Sequence, residues 1–204
     1  MGRRVSRIGL MGGTFDPPHL GHLWLAETAR EQLQLDLVLF LPVGQPPHKE
    51  NQPVTAVSHR LQMTQLAIQD IPAFVLDSSD INRPCPHSTV SLLPLIQAQH
   101  PQADLYLLMG SDSLRDFPTW HEPESVIRQC RLAVLPRPGV TLDWTELETA
   151  VPYLYSATIM LDGPTMNLSA TEIRRWIRAG HTAQTLTGTA VWQHIRQHNL
   201  YAKT

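Results

Sequence analysis

Short apolar runs alternate with amphipathic segments along the whole chain. The runs at 8–11, 35–43, 74–77, 103–110, 131–137 and 156–162 are near-continuous in apolar character. That pattern predicts strands buried on both faces, as in a parallel sheet. Between them, "HLWLAETAREQLQL" (22–35) and "SHRLQMTQLAIQD" (58–70) carry apolar residues at helical spacing, the second with Leu61, Leu66 and Ile68 on its core side. "STVSLLPLIQAQH" (88–100) is also helical in pattern, but Pro94 interrupts it. "PESVIRQC" (123–130) and "TELETAV" (145–151) are short helices, and "SATEIRRWIRAG" (169–180) and "AVWQHIRQHNL" (190–200) close the chain. Strand–helix alternation predicts an α/β fold with a doubly wound, mostly parallel sheet. One domain is expected over 1–204, its last part, 165–204, being helical. The Pro-rich pieces "VGQPPHKENQPV" (43–54) and "NRPCPHST" (82–89) read as loops on the ligand side of such a sheet.

Composition narrows the partners. A net charge of −2 over 204 residues gives no electrostatic basis for duplex DNA or an anionic membrane. No nucleic acid and no membrane partner is expected, whereas a local basic cluster could still hold a nucleotide. Cys85 and Cys130 form no CxxC or zinc pattern and read as reduced thiols of a cytoplasmic protein, with a single disulfide left open. "RIGLMGG" is too short for a signal sequence or a membrane span. "MGRRVS" fits the loose myristoylation pattern, but the first strand follows at once and leaves no tail. Oligomeric state is not legible, and a homo-oligomer stays open.

The chemistry concentrates in "GGTFDPPHLGH", residues 12–22, between the first strand and the first helix. In doubly wound sheets, ligands sit beyond the carboxyl ends of the strands. Gly12 and Gly13 would allow a tight turn and close backbone approach. The helix N-terminus that follows would favour a phosphate. His19 and His22, at i and i+3, can share one side of that helix and donate to phosphate oxygens. There is no GxxxxGK[ST] and no GxGxxG. Zinc is disfavoured at this pair, because no third ligand stands at typical spacing, and no metal ligands are assigned.

At these residues the sequence resembles the nucleotidylyltransferase superfamily, whose GxFxPxHxGH loop is matched by Gly13, Phe15, Pro17, His19, Gly21 and His22. Its second phosphate signature, a Ser/Thr-rich helix start followed by Arg, resembles "LSATEIRR", 168–175. Within the superfamily the chain is most similar to the bacterial nicotinate-nucleotide adenylyltransferases. "PVGQPPHK" (42–49), "GSDSLRDFPTW" (110–120), "LPRPG" (135–139) and the final "HNLY" all resemble segments of that family. The chain departs from the family in three places. "HSTVSLL" (87–93) keeps Thr89 but has Ser88 in place of Tyr, Ala170 stands where a Ser is usual, and His121 stands where a Tyr is common.

The resemblance implies a Rossmann-like fold and transfer of AMP from ATP to nicotinate mononucleotide, with Mg²⁺ on the triphosphate. It implies that His19 and His22 hold ATP phosphate oxygens, a protonated imidazole adding charge, helped by backbone N–H groups near Thr14 and Phe15. Ser169, Thr171 and Arg174 would meet the β- and γ-phosphates, with Arg175 a less suitable ligand. Ser169 with Glu172 also fits a capping box. Asp112 would meet a ribose or adenylate group, or else cap the following turn. Lys49, with His48 beside it, and Arg137 would approach the mononucleotide phosphate. Trp120 would stack on the pyridine ring, and Thr89 and the backbone at His121 would meet its carboxylate. Three other readings stay open: nicotinamide mononucleotide as acceptor, phosphopantetheine as acceptor, and a non-catalytic nucleotide-binding regulator.

Overall fold

The computed structural model describes residues 6–44, 54–84 and 87–202. In chain order the elements are β1 (Arg7–Gly13), α1 (Leu20–Leu33), β2 (Leu37–Pro42), α2 (Val57–Ile68), β3 (Phe74–Leu76), α3 (Ser79–Asn82), α4 (Thr89–Gln99) and β4 (Asp104–Gly110). Then come α5 (Ser111–Asp116), a 3₁₀ turn (Phe117–Thr119), α6 (Pro123–Gln129), β5 (Arg131–Leu135), α7 (Trp144–Ala150), α8 (Leu154–Ala157) and β6 (Thr158–Met160). The chain ends with α9 (Ala170–Arg178), α10 (Gln184–Thr187) and α11 (Thr189–Gln197).

The strands form one parallel sheet in the order β3-β2-β1-β4-β5-β6. Alternate residues of each strand enter opposite cores. Ile8, Leu10, Leu39, Leu41, Leu105, Leu107, Leu132 and Val134 face one side, and Val38, Phe40, Tyr106, Leu108 and Ala133 the other. This period-two partition is why the strands read as continuous apolar runs: both faces are covered. A Cβ on Gly9 would come within 2.8 Å of Leu35, so small size at the sheet's centre lets α1 and its following turn close down.

All six expected strands are present, and three expectations need correction. Pro94 does not interrupt its helix. α4 runs through it, because Leu92, Leu93 and Ile96 anchor the buried side while Pro94 stays exposed. The lost hydrogen bond therefore lies on the solvent face. The buried side of α2 is Arg60, Met63, Thr64 and Ile68, whereas Leu61 and Leu66 are only partly covered. Ser156 and Ala157 belong to α8, so the sixth strand is shorter than its apolar run.

A third apolar cluster joins α2 to the C-terminal helices through Met63, Val191 and Ile195. Among the described residues, no helix is long and apolar enough to cross a membrane. Cys130 is a buried free thiol whose pKa burial pushes up to about 12, and Cys85 lies outside the described residues.

Candidate active site

The sheet order reverses between β1 and β4, and in such sheets ligands sit beyond the carboxyl ends of the strands at that point. The 14–19 loop leaves β1 on one side, and Ser111 begins α5 directly after β4 on the other. Gly12 and Gly13 are strand residues and do not make the turn. The left-handed backbone falls on Phe15 instead (φ 50°). Gly13 is small because the buried Phe15 ring folds back over it, 3.2 Å from where a Cβ would stand. Above Gly12 a Cβ would meet nothing among the described atoms.

His19 caps α1 with extended backbone, and His22 sits in the first turn. Their rings stack at 3.7 Å between centroids, and Phe15 meets His22 edge-on at 5.0 Å. The His19 N–H donates to His22 Nδ1 at 3.1 Å. That bond requires His22 Nδ1 to be an acceptor, so in the neutral ring the proton sits on Nε2. His19 Nδ1 is buried without a partner. A Cβ on Gly21 would stand 3.1 Å from that atom, so glycine between the histidines is what admits the ring. Burial, with help from the Arg137 charge, lowers the His19 pKa to about 4. Burial, His19 and Arg137 likewise hold His22 well below the usual imidazole value. The expectation of a protonated imidazole is thereby corrected: at neutral pH both rings are neutral donors.

Asp112 does not cap α5, whose N-cap is Gly110. One Asp112 oxygen pairs with Arg137 at 3.2 Å, and the other, Oδ1, is buried with no partner. A Cβ on Gly110 would come within 2.6 Å of Arg137 Nε, so this glycine makes room for the pair. The Ser111 hydroxyl accepts from the Arg137 N–H at 2.9 Å, tying the ends of β4 and β5 together.

α9 brings the second motif to the same place. Ser169 caps it, accepting from the Glu172 N–H at 3.2 Å. Only this half of the capping box forms, since the Glu172 carboxylate meets the Ser169 hydroxyl instead of its N–H. Arg174 donates to the Asp16 carbonyl (2.8 Å) and to Thr171 Oγ1 (3.3 Å), which docks α9 against the 14–19 loop. Arg175 points to solvent beside Glu172. The N-termini of α1 and α9 therefore converge, and both present a positive dipole end.

Three residues behind this surface were not legible as site residues. Arg60 is fully buried and donates to the carbonyls of Thr14 (3.0 Å), Val43 (2.8 Å), Gly44 (2.9 Å) and Thr55 (3.0 Å). Asp16 accepts from the Tyr201 hydroxyl (2.6 Å) and the Thr55 N–H (3.3 Å). Burial and the Asp16 charge raise the Tyr201 pKa, so its hydroxyl stays a donor. Asp16 lay inside the quoted loop, but nothing in the sequence marks its partners.

The remaining candidates flank this group. Thr89 opens α4. The Asp80 carboxylate accepts from the Gly44 N–H (3.2 Å) and Arg83 Nε (2.8 Å) and faces His87 Nδ1 at 3.4 Å. His87 packs on Gly44, where a Cβ would be 2.7 Å from its ring. Trp120 is half-buried and leans on Phe117 at 5.2 Å. The His121 side chain is exposed next to Glu122. Lys49 and His48 lie outside the described residues.

Residues 10–176 match the cytidylyltransferase-like family. A protein of Thermomicrobium roseum named "Probable nicotinate-nucleotide adenylyltransferase" is 44% identical over 97% of this chain and 92% of its own length. One of the same name from Herpetosiphon aurantiacus is 38% identical over 97% of this chain and 99% of its own. In fold, the chain is similar to the Plasmodium falciparum nicotinic acid mononucleotide adenylyltransferase complexed with NaAD. That structure has a TM-score of 0.78 at 18% identity, over 96% of this chain and 97% of that one. With matches of this identity spanning nearly its full length, the chain belongs to the nicotinate-nucleotide adenylyltransferase family of nucleotidyltransferases.

Proposed function

We propose that this protein transfers AMP from ATP to the 5′-phosphate of nicotinate mononucleotide, releasing pyrophosphate and forming nicotinate adenine dinucleotide for NAD biosynthesis in the cytoplasm. The observation that carries this reading is the grouping of two helix N-termini, two neutral imidazoles, Arg137 and Arg174 around the carboxyl ends of β1 and β4. Such a surface is built for polyphosphate, and family membership supplies the acceptor class.

A phosphate oxygen of the mononucleotide attacks the ATP α-phosphorus in line, and the bond to pyrophosphate breaks. The nucleophile is already an anion, so no strong base is required. The chain's task is to align two anions and stabilise charge as it moves onto the leaving group. His22 Nε2–H and the His19 ring donate to triphosphate oxygens. Backbone N–H groups near Thr14 and Phe15 assist, and Gly12 and Gly13 let the backbone come close to the ligand. The α9 start, with Ser169 and Thr171, meets the β- and γ-phosphates. Arg174 has five N–H donors and spends two within the protein, so the others can reach the leaving group. Asp112 Oδ1, an acceptor without a partner, suits a ribose hydroxyl. Arg137, with Lys49, serves the mononucleotide phosphate. Trp120, Thr89 and the His121 backbone enclose the pyridine ring and its carboxylate. The C-terminal part from residue 165 thus carries the second phosphate motif of a single domain.

Mg²⁺ on the triphosphate would offset its charge. Of the two carboxylates nearest the histidine loop and Arg137, Asp112 has a buried oxygen without a partner, whereas both Asp16 oxygens are engaged. The donor set fits an ion held mainly by substrate oxygens and water.

The test is pyrophosphate release with each acceptor at saturating ATP and Mg²⁺. N–H donors closed around an acid disfavour the amide, whose NH₂ leaves one of them unpaired at about 1–3 kcal/mol. A roughly 10- to 100-fold preference in kcat/KM for nicotinate over nicotinamide mononucleotide is expected per lost bond. Equal values, or a preference for the amide or for phosphopantetheine, would remove the nicotinate assignment. No release with any acceptor would point to a regulator. For Arg174→Lys, which keeps the charge and loses the planar fork, a raised KM for ATP and a lower kcat are expected with little change in acceptor KM. An unchanged ATP dependence would take Arg174 out of the phosphate site.

A further inference from the structure

Away from these strand ends, three histidines meet where α2 packs on α11. His59 lies in the first turn of α2, His194 on α11, and His198 caps the end of α11. His194 and His198 are at i and i+4, so they share one helix face. His59 Nδ1 stands 3.1 Å from His194 Nε2. One ring nitrogen from each of the three lies within 4.8 Å of the others. The ring centroids are 4.5–5.2 Å apart. Among the described residues no carboxylate pairs with any of them. Three imidazoles thus crowd together with no acid partner among the described residues.

We propose that His59, His194 and His198 form a site for a divalent transition cation of the zinc class, clamping α2 to the C-terminal helix. Neutral imidazole is the ligand form for such ions. Tetrahedral zinc with nitrogen at about 2.0–2.1 Å places its ligand nitrogens roughly 3.4 Å apart. The closest pair is already near that spacing, and the third ligand needs only a small side-chain rotation. His198 is exposed, which leaves the fourth position to water.

The location gives the ion something to hold. His59 precedes Arg60, which organises the 14–19 loop through the Thr14 carbonyl. Tyr201, shortly after His198, holds Asp16 of the same loop. A bound cation would join two segments 135 residues apart in sequence behind the phosphate surface. Metal would therefore act on stability first.

The experiment uses the full chain without a polyhistidine tag, stripped with a chelator and then titrated with Zn²⁺ and, separately, Co²⁺. One equivalent of Zn²⁺ should bind and raise Tm by about 5–10 °C at a free concentration near 100 Kd. Co²⁺ should develop visible tetrahedral d–d absorption. His198→Ala changes an exposed residue and should leave the fold standing. It should weaken Zn²⁺ binding by more than the about 10–100-fold typical of losing a residue that merely supports a ligand. His59→Ala should behave alike, and His22→Ala, at the start of α1, should leave metal binding unchanged. Undiminished Zn²⁺ affinity in His198→Ala, loss of binding in His22→Ala instead, or no saturable one-equivalent titration would each overturn the assignment. These readouts do not depend on catalysis, so they stand or fall separately from the acceptor assay.

Discussion

His22→Ala is expected to lower turnover by about 10²-fold or more, the scale of deleting one preorganised donor that stabilises developing charge. The folded state should survive. His22 Nδ1 accepts one N–H at the α1 terminus, and losing that bond costs about 0.5–1.5 kcal/mol. The same bond places the proton on Nε2, so the donor is set before substrate arrives. His19→Ala should cost a similar factor, because its ring backs the stack at 3.7 Å and sits where the two helix N-termini meet. Steady-state turnover with circular dichroism as the fold control checks both. A variant with near-normal kcat would show that its ring does not clamp phosphate. His22→Gln is the informative companion, since an amide can donate where Nε2–H did but cannot keep the stack.

Arg60→Met should destabilise the protein by about 3–5 kcal/mol, a large fraction of the roughly 5–15 kcal/mol that holds a domain folded. Methionine matches the volume, so the loss is not a cavity. It comes from four carbonyls, of Thr14, Val43, Gly44 and Thr55, left without their charged donor in a place with little water. Arg60→Lys should recover only part of this, because one ammonium cannot reach four diverging oxygens as a planar fork does. Urea unfolding midpoints measure the effect. A shift worth less than about 1 kcal/mol would mean that water replaces the guanidinium at these oxygens. Because Arg60 joins the 14–19 loop to the end of β2, either variant should also lose activity under conditions where it remains folded. His22→Ala and Arg60→Met are thus separable: the first removes chemistry with the fold kept, and the second removes the frame.

The outline of the site was legible in the sequence because its key groups are neighbours in the chain. His19, Gly21 and His22 fall on one helix start, and Ser169, Thr171 and Arg174 on another. The i, i+3 spacing alone puts His19 beside His22 and Thr171 beside Arg174. The six strands were legible for a similar local reason, since a strand covered on both faces cannot hide its apolar composition. α2 marks the limit. Its amphipathic pattern predicts Leu61 and Leu66 inward, but the helix turns Arg60 to the core because a cluster of carbonyl oxygens waits there. No local pattern encodes those carbonyls, which come from the ends of β1 and β2 and from the residues before α2.

Protonation was decided the same way. In the sequence His19 and His22 are two ordinary imidazoles. In the fold they are neutral, because the sheet buries them and carries the Arg137 charge in from the end of β5. The pairing of Asp16 with Tyr201 and the meeting of His59 with His194 and His198 likewise join residues more than a hundred positions apart. By itself, the sequence determined the parallel α/β architecture, the two helix starts proposed to bind phosphate, and the family. Periodicity and short motifs are properties of contiguous residues, and a chain can state them directly. The tertiary structure alone decided which glycines admit which rings, which charges are buried, and which buried groups remain without partners. Those follow from burial and from distances through space, which exist only once the sheet has brought its strand ends together.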